Sequence, residues 1–221
     1  MIQKRVNKIK LSHYFWVFLI VSLGGTIYEE LLHIVLYFFK TGTFNWSRRS
    51  GLFYTPLSPV YGFGAVGLLF LLGRKDYSKT KIYIGASLLG GIAEYCMSII
   101  QEWVTGTTSW DYSNKFLNIG GRTTVIYMLA WGLAGLVLIK WFYPKIRQTL
   151  NRMSACTYKI VTSILFTLVL LDISVSWTAL IRRELRHRGI EPYTIVGHLC
   201  DKYYTDEFVE SRYPNMEEKE E

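Results

Sequence analysis

The chain has 221 residues, half of them hydrophobic and 16% aromatic, and a formal net charge of +8. The apolar residues gather into runs of roughly 18 or more, the length that crosses a ~30 Å hydrocarbon core as a helix. Lys and Arg fall between those runs, which argues against a nucleic-acid binder, whose cations would be interleaved with exposed aromatics on a soluble surface.

The N-terminal MIQKRVNKIK resembles the start of a signal peptide, but the apolar stretch after it continues to Phe39 without an early small-x-small cleavage site. It reads as a retained first span over Ser12–Phe39, long enough that it must tilt or protrude. Gly25, Glu29 and His33 are spaced i, i+4 and i+8 and share one helical face, with Glu30 turned about 100° away. An ionised carboxylate at this depth costs at least a few kcal/mol, so it needs a cavity or a partner, or is protonated. Packing between helices and a functional polar pathway both satisfy that need.

A loop of turn formers, aromatics and the two arginines Arg48 and Arg49 follows, and Pro56 and Pro59 open a short second span, Val60–Gly73. Its fourteen residues include Gly62, Gly64 and Gly67, which allow close helix approach. A re-entrant path is an open alternative for it. The third span, Ile82–Val104, carries Gly85, Gly90, Gly91 and, near its centre, Glu94 on a stripe with Ser98 and Gln101; Glu102 lies at the exit. Trp110 and Tyr112 in the next connection suit interface anchors, and Asp111 can cap the turn that follows them. Asn118 and Arg122 bracket Gly120 and Gly121 ahead of a fourth span, Thr123–Tyr143, and Arg122 can snorkel or pair with an acid there. A basic loop, residues 144–159, leads to a fifth span, Ile160–Ile181, holding Asp172 with Ser176 one turn on. A single Asp beside Ser can satisfy itself locally.

The fold class expected is all-α: a polytopic membrane helix bundle of about five spans, with six spans or one re-entrant segment left open. The bundle would occupy residues 1–183 and a short polar, soluble tail residues 184–221. Three basic segments, at the N-terminus (Lys4, Arg5, Lys8, Lys10), after span two and after span four, fall on one side under five spans, so the N-terminus is expected in the cytoplasm. Arg182, Arg183, Arg186 and Arg188 then fall on the other side, which is the weak point of the five-span count.

Cysteine and histidine chemistry adds little. Cys96, Cys156 and Cys200 are far apart and form no CxxC pair, so neither a zinc site nor a disulfide framework is indicated. His33 is the only histidine well inside a span, HExxH and the P-loop signature are absent, and no cofactor or metal is expected. Glu29-Glu30-x-x-His33 resembles a fragment of a membrane glutamate-protease signature, yet position 34 is Ile and the expected Arg is missing, so an enzyme is the lesser reading.

Two stretches carry a family resemblance. Gly25-Thr26-Ile27-Tyr28-Glu29 followed by Gly51-Leu52-Phe53-Tyr54-Thr55-Pro56-Leu57-Ser58-Pro59 is one; Glu94-Tyr95, Trp110-Asp111-Tyr112-Ser113, Asn118 to Gly121-Arg122 and Trp131-Gly132 form the other. Together they resemble the Putative ABC-transporter type IV, or CmpB-like, membrane family over most of residues 12–143. Asp201–Tyr204 and Tyr213–Met216 are similar to the family's ending. Where the family usually has Asn-Arg-Gly before its Pro-rich turn, this chain has Arg49-Ser50-Gly51, and Thr55 replaces the usual Gly before the first proline.

The resemblance implies a multi-pass permease of the cell membrane, working in the lipid bilayer with an ATPase supplied by another chain; a homo-oligomer is an open option and nucleic acid is not a partner. The alternatives are a membrane scaffold whose acids only fix helix packing and an intramembrane glutamate-dependent hydrolase. The candidate polar cluster is Glu29, His33, Glu94 and Arg122, since three of its members stand in family-like segments. Trp110, Asp111, Tyr112, Asn118 and Gly121 are the motif residues around it.

Overall fold

The computed structural model describes residues 9–48, 51–213 and 217–218. Lys4, Arg5, Lys8, Arg49, Ser50 and Pro214–Met216, singled out above, lie outside the described residues. The protein is an all-α membrane bundle. Its helices are α1 (Leu11–Thr41), α2 (Pro59–Leu72), α3 (Lys79–Thr105), α4 (Val125–Val137), α5 (Tyr143–Arg152), α6 (Ala155–His187), α7 (Ile195–Tyr203) and α8 (Asp206–Arg212). Among the described residues four helical segments are long and apolar enough to cross a membrane: α1, α3, the continuous run Val125–Arg152, and α6. Helix α2, with 14 residues, rises only ~21 Å at 1.5 Å per residue, short of a ~30 Å core.

The chain divides into two compact units. The first comprises residues 1–22, 59–97 and 111–166. Its core is Val17 of α1, Ala65, Leu68 and Leu69 of α2, Ile82 and Ala86 of α3, and Leu138, Ile139, Tyr143, Ile146 and Leu150 from the fourth apolar segment. Two close approaches need glycine. A Cβ on Gly132 of α4 would collide with Ser87 and the Tyr83 carbonyl of α3, and one on Gly90 of α3 would enter the Trp131 ring. The small residues therefore let α3 and α4 come together, as GxxxG-type membrane packing does.

One expectation is corrected in this unit. The basic stretch after the fourth span is helical as far as Arg152 and not a loop. Pro144 lacks an N–H for the Lys140 carbonyl. The chain absorbs that loss in a π-helical turn, Leu138–Phe142, where the Tyr143 N–H reaches back to the Leu138 carbonyl. Tyr143, Ile146 and Leu150 then recur at i, i+3 and i+7 on the buried face, leaving Lys145, Arg147 and Arg152 on the other faces.

The second unit comprises residues 23–58, 98–110 and 167–221. Its centre is Phe53, fully buried, stacked on Tyr204 at 5.5 Å and edge-on to Phe208 at 5.2 Å, with Ala179 and Val209 beneath. The C-terminal segment is docked through charge as well. Arg182 of α6 makes a bidentate pair with Asp201 of α7, both contacts 2.8 Å, and Arg186 bonds Asp201 and, at 2.5 Å, Asp206 of α8. Hydrogen bonds from Arg182 and then Arg186 hold the Asp201 carboxyl below its usual range. Asp206 is also lowered: burial opposes the shift, but the Arg186 and His187 contacts outweigh it. Helix α6 itself runs to His187, past residue 183.

Candidate functional site

In the first unit the family-like motif folds around one carboxylate. Residues 111–124 form a loop pinned by its own side chains. Asp111 accepts the Ser113 N–H at 2.8 Å and its hydroxyl at 2.6 Å. Asn118 donates to the carbonyls of Ser113 and Lys115, both at 3.0 Å, and its oxygen accepts the Gly121 N–H. Asn118–Ile119 (β1) then pairs with Thr123–Thr124 (β2) through a tight turn. Gly120 and Gly121 sit there at φ 58° and 68°, a left-handed pair that L-residues rarely supply. The Arg122 N–H closes the turn on the Ile119 carbonyl at 3.2 Å. Thr124 caps α4 by accepting the Tyr127 N–H.

This loop delivers two hydroxyls to Glu94. Thr123 donates to one carboxylate oxygen at 2.6 Å and Tyr112 to the other at 3.3 Å; the Trp131 side chain hydrogen-bonds to it as well. Glu94 is 9% exposed, in the middle of an apolar helix. Among the described residues no cation forms an ion pair with it. A carboxylate ringed by neutral donors carries an uncompensated charge when ionised and an extra O–H when protonated. Chemically, such a group can bind a proton or a cationic group. Arg122 is half-buried in the turn next to Thr123.

The other predicted members belong to the second unit. Glu29, Glu30 and His33 are half-buried on α1, and the His33 ring lies 5.8 Å from that of Tyr37. Trp110 is half-buried at the end of its connection. His187 stands 3.2 Å from Asp206. Among the described residues no group of three or more His, Cys, Asp or Glu side chains is placed to hold a metal.

Sequence reasoning gave Asp172 too local a role. Its carboxylate accepts from Ser176 at 3.1 Å, the local contact expected, but also from the Tyr54 N–H at 3.2 Å, the Thr55 N–H at 2.7 Å and the Thr55 hydroxyl at 2.6 Å. Ser176 in turn accepts the Phe53 N–H at 2.9 Å. The Pro-rich family-like loop is thus tied to α6 through its backbone. Arg48 donates to the Leu52 and Phe53 carbonyls and Tyr213 to that of Gly51. Burial, reinforced by Arg212, lowers the Arg48 pKa against the pull of Tyr213, Asp172 and Glu30, and burial raises that of Tyr213. Thr55 stands where the resemblance expects glycine, and its hydroxyl makes a contact glycine lacks. Thr123 was also missed; its only sequence signal is a hydroxyl placed directly after the Gly-Gly-Arg turn.

The family described as Putative ABC-transporter type IV matches residues 16–177. That span includes the Glu94 loop and the Asp172 anchor and ends before the C-terminal helices. No curated protein and no solved structure matches the chain at a significant level.

Proposed function

Because this chain belongs to the Putative ABC-transporter type IV family, we propose that it is the permease-like component of a transporter, a multi-pass protein of the cell membrane. In this reading it moves a solute while a separate chain hydrolyses ATP. Glu94 is the working group, holding a cationic group of the solute or a coupled proton inside the bundle. The observation that carries the reading is the cradle of neutral donors around Glu94: an acid kept in an apolar helix with no counter-charge among the described residues is costly for packing alone. Counting α2 as the fifth crossing, Lys79 and Lys81, and Lys145, Arg147 and Arg152 of α5, fall on the N-terminal side and support an orientation with the N-terminus in the cytoplasm.

Copurification tests this. The chain extracted in mild detergent is expected to bring down an ATP-hydrolysing subunit in stoichiometric amount; a chain that purifies alone from native membranes contradicts the proposal. The second reading, a membrane scaffold whose acids only fix packing, is favoured by Asp172, which is saturated with structural contacts. The two readings separate at Glu94→Gln. A scaffold loses stability and nothing else, whereas a transporter component loses coupled ATP hydrolysis while its fold persists.

A further inference from the structure

The second unit carries a helix face that its own packing does not use. Around α7, at 100° per residue, Ile195, Val196, Leu199 and Tyr203 occupy an arc of roughly 100°. They are 80%, 55%, 48% and 59% exposed. The rest of the helix is the docked side: Cys200, flanking the stripe, is buried, and Asp201, opposite it, is held by Arg182 and Arg186. These contacts fix the rotation of α7, so its apolar stripe faces outward. His198 and Lys202 are exposed beside the stripe, and Tyr193, 84% exposed, lies just ahead of it.

We propose that this stripe of α7 lies in the bilayer interface, beside the end of α6, as an amphipathic surface helix. The occupant follows from continuity and charge. Helix α6 exposes Leu168, Leu170, Leu171, Trp177 and Ile181, a hydrocarbon-facing surface in a membrane bundle. That surface stops where Arg182 and Arg183 begin, and Arg182 is, with Arg186 one turn on, a residue that holds α7. The helix is therefore attached at the level where the apolar face of α6 ends. Tyr193 and Tyr203 have the apolar body and polar tip that headgroup depth favours, and Arg188, His198 and Lys202 suit anionic headgroups. A soluble helix with four large apolar side chains on one face would instead be an aggregation liability.

The proposal rests on the membrane reading of α6, so the experiment separates the two. The wild-type protein is reconstituted in vesicles of phosphatidylcholine and phosphatidylglycerol carrying a photoreactive acyl chain, and crosslinks are mapped. Adducts on both α6 (Leu170, Leu171) and α7 (Ile195, Val196, Leu199) are expected. Adducts on α6 without α7 overturn this inference and leave the membrane reading intact; adducts on neither overturn both. In parallel, Cys96 and Cys156 are replaced by Ser and an environment-sensitive fluorophore is placed at Val196→Cys or His198→Cys. The Val196 label is expected to be quenched several-fold more by doxyl lipid than by iodide, and the His198 label the reverse. Quenching of the Val196 label mainly by iodide, or by neither agent because a protein covers the stripe, overturns the proposal.

Discussion

Replacing Asp172 by alanine removes the acceptor of two backbone N–H groups, those of Tyr54 and Thr55, and of two hydroxyls. The hydroxyls can rotate to other acceptors, but the N–H groups are fixed by the Pro-rich loop and cannot. Each stranded buried N–H costs about 1–3 kcal/mol. Tyr54 is exposed and Thr55 half-buried, which favours the lower half of that range, so the total is ~3 kcal/mol. For a chain of this size that corresponds to a fall of roughly 6–12 °C in Tm. Asp172→Asn keeps one acceptor but sets an NH2 group against a backbone N–H, so it should fall between wild type and alanine. The assay is thermal unfolding in detergent followed by size exclusion, with limited proteolysis of the loop at residues 51–58 as the local readout. A Tm within about 2 °C of wild type for Asp172→Ala, with the loop still resistant to cleavage, would refute the anchoring argument.

Other outcomes follow from the same contacts. Thr55→Gly, which restores the residue usual in the family, should cost about 1 kcal/mol through the lost hydroxyl contact and added chain entropy, read as a small Tm decrease. Gly132→Leu should disrupt the approach of α3 and α4 and yield aggregated protein on size exclusion, whereas Leu133→Ala, at an exposed position, should not. The clasp on α7 should depend on acid in a definite direction. The folded pKa of Asp201 is depressed, so its contribution is complete above the ordinary value of 3.8 and is lost as pH falls through the lower folded value. Peptic cleavage between α6 and α7 should therefore rise only below about pH 4, and Asp201→Asn should be open to tryptic cleavage there at neutral pH.

The apolar runs made the helices legible, because a ~30 Å hydrocarbon core imposes length and composition directly on sequence. They also located α2 and its shortness. What they hid was the continuation of the fourth apolar segment to Arg152: Pro144 reads as a stop, and only a π turn that shifts the hydrogen-bond register lets the helix pass it. At the site, Glu94 was legible as an acid at membrane depth, and Tyr112 and Asn118 as parts of a motif. The partnership of Glu94 with Thr123 was not, since Thr is ordinary at a turn and the contact joins residues far apart in sequence. Asp172 shows the same gap. Its i+4 Ser176 suggested local satisfaction, whereas its strongest contacts reach Thr55 on a different segment. The C-terminal segment was legible only as a polar tail, and its helices were not. Their docking depends on Phe53 and two arginines, Arg182 and Arg186, whose partners no local pattern reveals.

The most direct test of the central claim is ATP hydrolysis by the copurified complex, measured for wild type and Glu94→Gln at matched expression and thermal stability. The account predicts an intact complex in which Glu94→Gln lowers transport-coupled hydrolysis at least tenfold while Tm falls by no more than a few degrees. Hydrolysis equal to wild type in a folded Glu94→Gln complex, or a bundle that loses its fold with the substitution, would contradict it.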